Sequence, residues 1–308
     1  MSSAKVSVSV VSKRAPSVLA EGPHWDDDTG RLLWVDIAGK ELHILSPDGQ
    51  TEFCHEFDKT VSSVVTCTKG DDLLLTVGTS ITLYSVGTKS SKELASVTHD
   101  PGLRFNDGKC DPEGRMWAGT MADPSMLGTM PKGKQEGAGS LYCFEKGTTL
   151  TKETDITIAN GLAWTNDKRH FFYVDSSPRK VYVYDYDVAT GGISNRRVAI
   201  DFSKDLSLGY PDGICIDADD KLWIAGYESF KLTYWDPFAA KKLQEIPLPV
   251  AKVSSCCWGG PDYRDLYVTT SQHELTEEER KEQPLAGSVF CVKNLGMRGL
   301  PSVKFNNS

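Results

Sequence analysis

Four short segments, far apart in the chain, each begin with a side chain whose oxygen could bind a metal ion. They are Glu21-Gly22-Pro23, Asn106-Asp107-Gly108, Asn160-Gly161-Leu162 and Asp212-Gly213-Ile214. An apolar strand pattern, a polar turn and a second apolar strand follow each of them. Carboxylate and amide oxygens suit hard divalent cations such as Ca²⁺, Mg²⁺ or Mn²⁺. The recurrence of one oxygen-bearing position in four units is therefore the first indication of function.

The units that contain these residues recur with the period of β-propeller blades. The central residues of six returning strands are Trp34, Leu75, Trp117, Tyr173, Trp223 and Tyr267, separated by 41, 42, 56, 50 and 44 residues. Strand alternation and turn residues dominate the chain, and four strands per ~40–50 residues are typical of a blade. The sequence therefore predicts an all-β, six-bladed β-propeller in which residues 1–308 form a single domain. Two sandwich domains are the alternative, but no linker-like stretch separates two halves.

Two segments outside the repeated cores carry further predictions. The alternating pattern of Val6, Val8 and Val10 predicts an N-terminal strand that joins the last blade and closes the ring, which removes two exposed strand edges. Residues 122–139 are rich in glycine, proline and lysine and are predicted to form a loop, either a lid over the channel or a surface feature. Residues 274–283 are mostly charged and are expected to form a solvated loop or a single helical turn.

A propeller would bring the oxygen-bearing residues together. The innermost strand of each blade runs along the central channel, so equivalent strand starts meet at one mouth of that channel. These starts hold Glu21, about Ser62, Asn106, Asn160, Asp212 and about Ser254. Carboxylates confined in a channel repel each other unless a cation or a proton lies between them. The alternative is that the Asn-Gly and Asp-Gly pairs only form turns at the strand entries.

Composition narrows the classes of partner. A net charge of −8 disfavours nucleic acid and anionic membranes, and no apolar run approaches the ~18 residues of a membrane span. The eight cysteines contain no CxxC pair, and most lie in apolar strand patterns, so they are expected to be buried thiols of a cytoplasmic protein. We expect a monomer or a weak dimer.

The sequence offers little support for other kinds of catalytic site. GxSxG, Walker and GxGxxG motifs do not follow any strand, which disfavours serine hydrolase, P-loop and dinucleotide-binding functions. The six histidines show no metal-ligand spacing and are expected to lie at the surface or in packing contacts. Asp107, Asp111 and residues 26–28 are interpreted as turn carboxylates.

Five motifs occur together over nearly the whole length of the chain. They are Glu21-Gly22-Pro23, Arg104-Phe105-Asn106-Asp107-Gly108-Lys109, Ala118-Gly119-Thr120-Met121, Ala159-Asn160-Gly161-Leu162 and Pro211-Asp212-Gly213. In this combination the chain resembles the SMP-30/gluconolactonase/luciferin-regenerating-enzyme family. The resemblance implies a six-bladed propeller with one divalent metal ion in its channel, Ca²⁺, Zn²⁺, Mn²⁺ or Mg²⁺. Glu21, Asn160 and Asp212 match the metal ligands of the family.

The resemblance also implies an enzyme that opens sugar lactones, with Arg104 and Asn106 as substrate-binding residues. Asp212, as a ligand and the nearest carboxylate, is the predicted general base. Vertebrate members of the family have Glu-Glu after Thr-Met-Ala, whereas this chain has Asp123-Pro124, so Asp123 is the candidate replacement for a sugar-binding glutamate. This departure leaves two alternatives open: another ester-like substrate, such as those of luciferin-regenerating enzymes or organophosphate hydrolases, or a calcium-binding protein that is not an enzyme.

Overall fold

The computed structural model of the chain is a β-propeller of six blades, and each blade is one four-stranded antiparallel sheet. It describes residues 5–12, 14, 16–98, 100, 102–125 and 135–308. The predicted six-bladed, all-β fold is thus confirmed. The six strand centres identified from the repeat all lie on the second strand of a blade, and five of them are completely or almost completely buried.

The strands of each blade follow one another from the central channel to the outer edge. The inner strands are β2 (Ala20–Asp26), β6 (Val61–Thr66), β10 (Leu103–Cys110), β14 (Ala159–Trp164), β18 (Tyr210–Ile216) and β22 (Lys252–Gly259). The second strands are β3 (Arg31–Asp36), β7 (Leu73–Val77), β11 (Met116–Ala122), β15 (His170–Asp175), β19 (Leu222–Tyr227) and β23 (Asp265–Ser271). The third strands are β4 (Glu41–Leu45), β8 (Ser80–Ser85), β12 (Gly139–Glu145), β16 (Lys180–Asp187), β20 (Lys231–Asp236) and β24 (Phe290–Lys293). The outer strands are β5 (Glu52–Glu56), β9 (Ser90–Ser96), β13 (Thr148–Ile156), β17 (Gly192–Asp201), β21 (Lys241–Pro247) and β1 (Ser7–Val10).

The last blade is built from both ends of the chain. Strand β1 pairs antiparallel with β24, in a register that runs from Ser7 opposite Lys293 to Val10 opposite Phe290. The C-terminal tail then returns to the second blade, where Phe305 forms a bridge with Cys67 and its N–H donates to the Thr66 carbonyl. These contacts hold the ring closed, so the inner strands keep fixed positions around the channel.

Packing between neighbouring blades fixes the inner strands further. The large side chains Trp34, Trp117 and Trp223 are at most 1% exposed. Each apolar cluster combines residues of adjacent blades; one example packs Phe172 of β15 with Ile214 of β18 and Trp235 of β20. Burial of such apolar surface contributes roughly 25 cal/mol per Å². This packing between blades therefore holds the inner strands, and with them the channel residues, in fixed positions.

A buried polar network joins the third and fourth blades. The Asp111 carboxylate, fully buried, accepts hydrogen bonds from Arg115 Nε at 2.6 Å, Tyr186 Oη at 2.7 Å and Trp117 Nε1 at 2.9 Å. Arg115 Nη2 in turn donates to the Val188 carbonyl at 2.7 Å. Asp111 also accepts backbone N–H groups of its own turn, so the interpretation as a turn carboxylate describes only part of its role.

The remaining sequence predictions concern two segments outside the blade cores, the cysteines and membrane spans. Residues 277–282 form a short helix, α1 (Glu277–Glu282), with a capping box between Thr276 and Glu279 and no buried residue. Residues 126–134, the middle of the predicted lid, lie outside the described residues. All eight cysteines are free, and seven are buried. Within the described part of the chain, no helix is both long enough and apolar enough to cross a membrane.

Candidate functional site

Every inner strand contains one extra residue relative to its neighbour, and the extra residue lies near the channel mouth. On β14, two residues separate Ala159 from Leu162, while only one separates their partners Asp175 and Tyr173 on β15. Equivalent register shifts occur at 21–24, 61–63, 105–108, 211–214 and 253–255. A β-bulge re-aims the side chain of the inserted residue. Five of the six positions that the sequence repeat indicates lie within a bulge, and Glu21 directly precedes the sixth bulge.

Asn106 and Asn160 are in direct contact across two blades. Asn106 Nδ2 donates to Asn160 Oδ1 at 3.0 Å and to the Ala159 carbonyl at 2.7 Å. Asn160 Nδ2 donates to Ser176 Oγ at 2.8 Å, and Ser176 Oγ donates to the Pro211 carbonyl at 2.6 Å. This chain of bonds fixes the orientation of the Asn160 amide, so that its oxygen faces Asn106 and its nitrogen faces Ser176. Ser176 was not identified from the sequence.

We expect Ser176→Ala to weaken divalent metal binding by about tenfold, because groups that orient a ligand typically change metal affinity 10–100-fold. Without the Ser176 hydroxyl, the Asn160 amide loses the acceptor that holds its orientation. Isothermal titration of metal-stripped protein measures the affinity directly. Ser177→Ala, at the next position of the same turn, is the matched control and should bind normally. Equal affinities in the two variants would contradict the orienting role of Ser176.

Arg104 lies against the same group of residues. Its Nη1 donates to Asn106 Oδ1 at 2.7 Å and to the Phe105 carbonyl at 2.8 Å, and the side chain is buried. Burial lowers the pKa of Arg104 to about 10, and the negative charges of Asp123 and Glu21 oppose this effect. Arg104 and Asp123 also line a cavity of about 450 Å³. Two predicted substrate-binding residues, Arg104 and Asn106, therefore lie together, and Asp123 lies at the edge of the cavity.

Glu21 and Asp212 are both buried at the channel. Burial first, and then the charge of Asp107, raise the pKa of Glu21 to about 8, although the Gly22 N–H donates to its Oε2 at 3.0 Å. Burial and the charges of Glu21 and Asp107 raise the pKa of Asp212 well above its ordinary value. Asp212 Oδ1 has no hydrogen-bond partner among the described residues. A buried oxygen without a donor is costly unless a cation or a proton compensates it.

We expect the affinity for a divalent cation to rise with pH up to about 8. In metal-stripped protein the folded state retains the proton of Glu21 from its ordinary pKa of 4.5 up to about 8, whereas the unfolded chain has released it. The stability of metal-stripped protein therefore falls as pH rises through this window. A bound cation replaces the proton, so affinity should change by about tenfold per pH unit below pH 8. Titrations across this range test the expectation, and Glu21→Gln should remove the Glu21 contribution; an unchanged slope in that variant would contradict it.

Asp107 is a channel carboxylate that the sequence interpretation missed. The sequence pattern assigns it to a turn, yet the residue is buried and its charge acts on both Glu21 and Asp212. In three other units the equivalent position is Gly22, Gly161 or Gly213, because inner strands approach closely there; a Cβ at Gly213 would lie 2.0 Å from Ser255 Oγ. Asp107 is an aspartate at a position where these three units have glycine, and this difference is the signal in the sequence that could have identified it.

The residues present fit a divalent cation. Glu21, Asn160 and Asp212 offer two carboxylates and an amide oxygen, and Asp212 Oδ1 has no donor among the described residues. Such a donor set suits hard cations with oxygen ligands. Arg104 and Asn106 adjoin it through the contact between Asn106 and Asn160.

The chain is similar in sequence and in structure to known proteins. A family model described as SMP-30/Gluconolactonase/LRE-like region matches residues 19–272. Regucalcin of Oryctolagus cuniculus is 39% identical over 287 residues, which cover 92% of this chain and 94% of that protein. The Bacillus subtilis (strain 168) protein YvrE, whose name describes it as a candidate sugar lactone lactonase, is 37% identical over 280 residues, or 90% of this chain and 91% of that protein. A solved structure of luciferin-regenerating enzyme superposes with a TM-score of 0.89 at 31% identity, covering 98% of this chain and all of the other.

Proposed function

The chain belongs to the SMP-30/gluconolactonase/LRE-like family, and from this premise we propose that it is a divalent-metal-dependent hydrolase that opens sugar lactones. Glu21, Asn160 and Asp212 are the proposed metal ligands. The observation that carries the proposal is the pair of buried carboxylates with raised pKa values, Glu21 and Asp212, one of which has an oxygen without a donor in the described structure. The family description and the name of the Bacillus subtilis relative support the lactone class.

A bound divalent cation would polarise the lactone carbonyl and lower the pKa of a water molecule beside it. The remaining chemistry belongs to side chains of this chain. Water adds to the carbonyl carbon, the bond to the ring oxygen breaks, and that oxygen leaves as a hydroxyl group. Asp212 is the proposed general base, which takes the proton of the attacking water and returns it to the ring oxygen.

Arg104 and Asn106 are the proposed substrate-binding residues. The Arg104 guanidinium is anchored by one nitrogen to Asn106 and to the Phe105 carbonyl, which leaves other N–H groups of its planar fork for ring hydroxyls. Asn106 also donates a hydrogen bond to Asn160, so it links Arg104 to a proposed metal ligand. Asp123 lines the same cavity as Arg104 and is proposed to take the place of the sugar-binding glutamate of vertebrate relatives. Its Oδ1 accepts the Ser125 hydroxyl at 2.7 Å, which restricts how far it reaches.

The exposed Pro124, where vertebrate relatives have glutamate, bears on the substrate class. A panel of aldonolactones, apolar lactones and organophosphates, assayed with each divalent ion, tests the proposal. Preferred turnover of aldonolactones is the expected result. Preferred turnover of an apolar lactone or an organophosphate would keep the metal site and replace the substrate class. Metal binding without turnover of any member would favour a calcium-binding protein without enzymatic activity and overturn the proposal.

A further inference from the structure

A cluster of potential metal ligands lies on the outer half of the first blade, away from the inner strand. Glu41, His43 and Cys54 each present one ligand atom, and these atoms lie within 4.8 Å of one another. His43 and Cys54 are directly opposite each other on the antiparallel strands β4 and β5, and Glu41 is two residues from His43 on β4. Residues two apart on a strand share a face, so all three side chains meet on one side of the sheet.

His43 is held as a metal-ligating histidine usually is. Its Nδ1 lies 2.9 Å from Glu52 Oε1, a carboxylate oxygen that only accepts, so in the neutral ring the proton belongs on Nδ1 and the lone pair on Nε2. The ring also stacks on Trp34, with centroids 5.0 Å apart. Ser12 Oγ donates to the other Glu52 oxygen at 2.6 Å and fixes that carboxylate. The orientation of His43 is thus determined by contacts that do not use Nε2.

His43 Nε2 is buried and has no hydrogen-bond partner among the residues that the structure describes, and the side chain is 4% exposed. The nearest acceptor, Glu41 Oε2, lies 3.1 Å away without the geometry of a hydrogen bond. Two electron-rich atoms at this distance repel each other unless a cation lies between or beside them.

We propose that Glu41, His43 and Cys54 form a second metal site, specific for Zn²⁺ over Ca²⁺ and Mg²⁺. Nitrogen, sulfur and carboxylate ligands suit Zn²⁺, whereas Ca²⁺ and Mg²⁺ require oxygen ligands. A cavity of about 510 Å³ borders Glu41 and His43 and gives access for the ion and for a water molecule as fourth ligand. Cys54 is the one cysteine that is not buried, so its thiol can reach such an ion.

Cobalt titration of the metal-free, full-length protein tests this site. A thiolate bound to Co²⁺ gives a near-ultraviolet charge-transfer band, and oxygen ligands in the channel cannot produce it. We expect the band in the wild-type protein and its loss when Zn²⁺ is added. Cys54→Ser should abolish the band, and His43→Gln should weaken Co²⁺ binding at this site by about tenfold or more.

The controls separate this site from the channel and from unfolding. His55→Gln changes the adjacent residue on the opposite face of β5 and should keep the band, as should Asp212→Asn in the channel. Circular dichroism of the metal-free variants checks that they fold. Absence of the band in the wild-type protein would overturn the proposal. A band that survives in folded Cys54→Ser would overturn it equally.

Discussion

Asp212→Asn is expected to abolish divalent metal binding at the channel and to reduce kcat/KM for a lactone by about 10³-fold, the loss typical of a removed electrostatic group at a reaction centre. Asparagine has nearly the same volume, so the bulge of β18 and its packing remain. What is lost is the negative charge of one of the two buried carboxylates, the one whose Oδ1 has no donor in the described structure. Steady-state kinetics and isothermal titration measure the two effects.

The matched control is Asp219→Asn, an exposed aspartate in the turn that follows the same strand. It should bind metal and turn over substrate as the wild-type protein does. Metal-stripped Asp212→Asn should also be more stable than metal-stripped wild type at pH 8, because one buried carboxylate no longer ionises. Near-normal activity in Asp212→Asn would refute its role as ligand and base.

Asp111→Ala is expected to lower the free energy of unfolding by about 3–5 kcal/mol, the usual cost of removing one partner of a buried ion pair. The Arg115 guanidinium would keep its charge in a buried position, although Val188 and Tyr186 still accept hydrogen bonds from it. Trp117 Nε1 and the Tyr186 hydroxyl would lose their common acceptor. Urea unfolding monitored by tryptophan fluorescence measures the change.

Glu145→Ala serves as the control for that substitution. Glu145 pairs with Lys146 at 3.5 Å, but the Glu145 side chain is 47% exposed and that of Lys146 74%, and such exposed pairs contribute about 0–1 kcal/mol. A loss in Asp111→Ala no larger than in Glu145→Ala would contradict the importance of the buried network. Because Asp111 lies in the turn after β10 and not at the bulge, metal affinity in folded Asp111→Ala should stay near that of the wild type.

The fold could be predicted because its signal is periodic. Six returning strands at intervals of about 40–50 residues, each centred on a large apolar residue, leave few architectures other than a propeller. The N-terminal strand could be assigned to the last blade because an open ring would expose two strand edges. Both inferences depend on local sequence patterns and their repetition, and neither requires knowledge of side-chain contacts.

The site could be predicted only in part, for a physical reason. The repeat predicts one channel-facing position per blade, and four of these positions hold the site residues Glu21, Asn106, Asn160 and Asp212. The bulges of the inner strands show why this position faces the channel. Ser176 belongs to a turn after β15 and reaches Asn160 only through the register of two blades. His43 and Cys54 become neighbours through strand pairing across a hairpin, which no spacing motif describes. Contacts of this kind depend on tertiary geometry.

The most direct test of the central claim is hydrolysis of glucono-δ-lactone by metal-stripped protein, before and after each of Ca²⁺, Zn²⁺, Mn²⁺ and Mg²⁺ is restored. We predict no turnover above the uncatalysed rate without metal and recovery with at least one ion, whereas Asp212→Asn should recover at most about 10⁻³ of the wild-type kcat/KM. The Cys54→Ser variant should recover like the wild type, because the outer cluster takes no part in the proposed reaction. Full turnover by metal-stripped protein, or recovery in Asp212→Asn equal to that of the wild type, would contradict a metal-dependent lactonase at this channel.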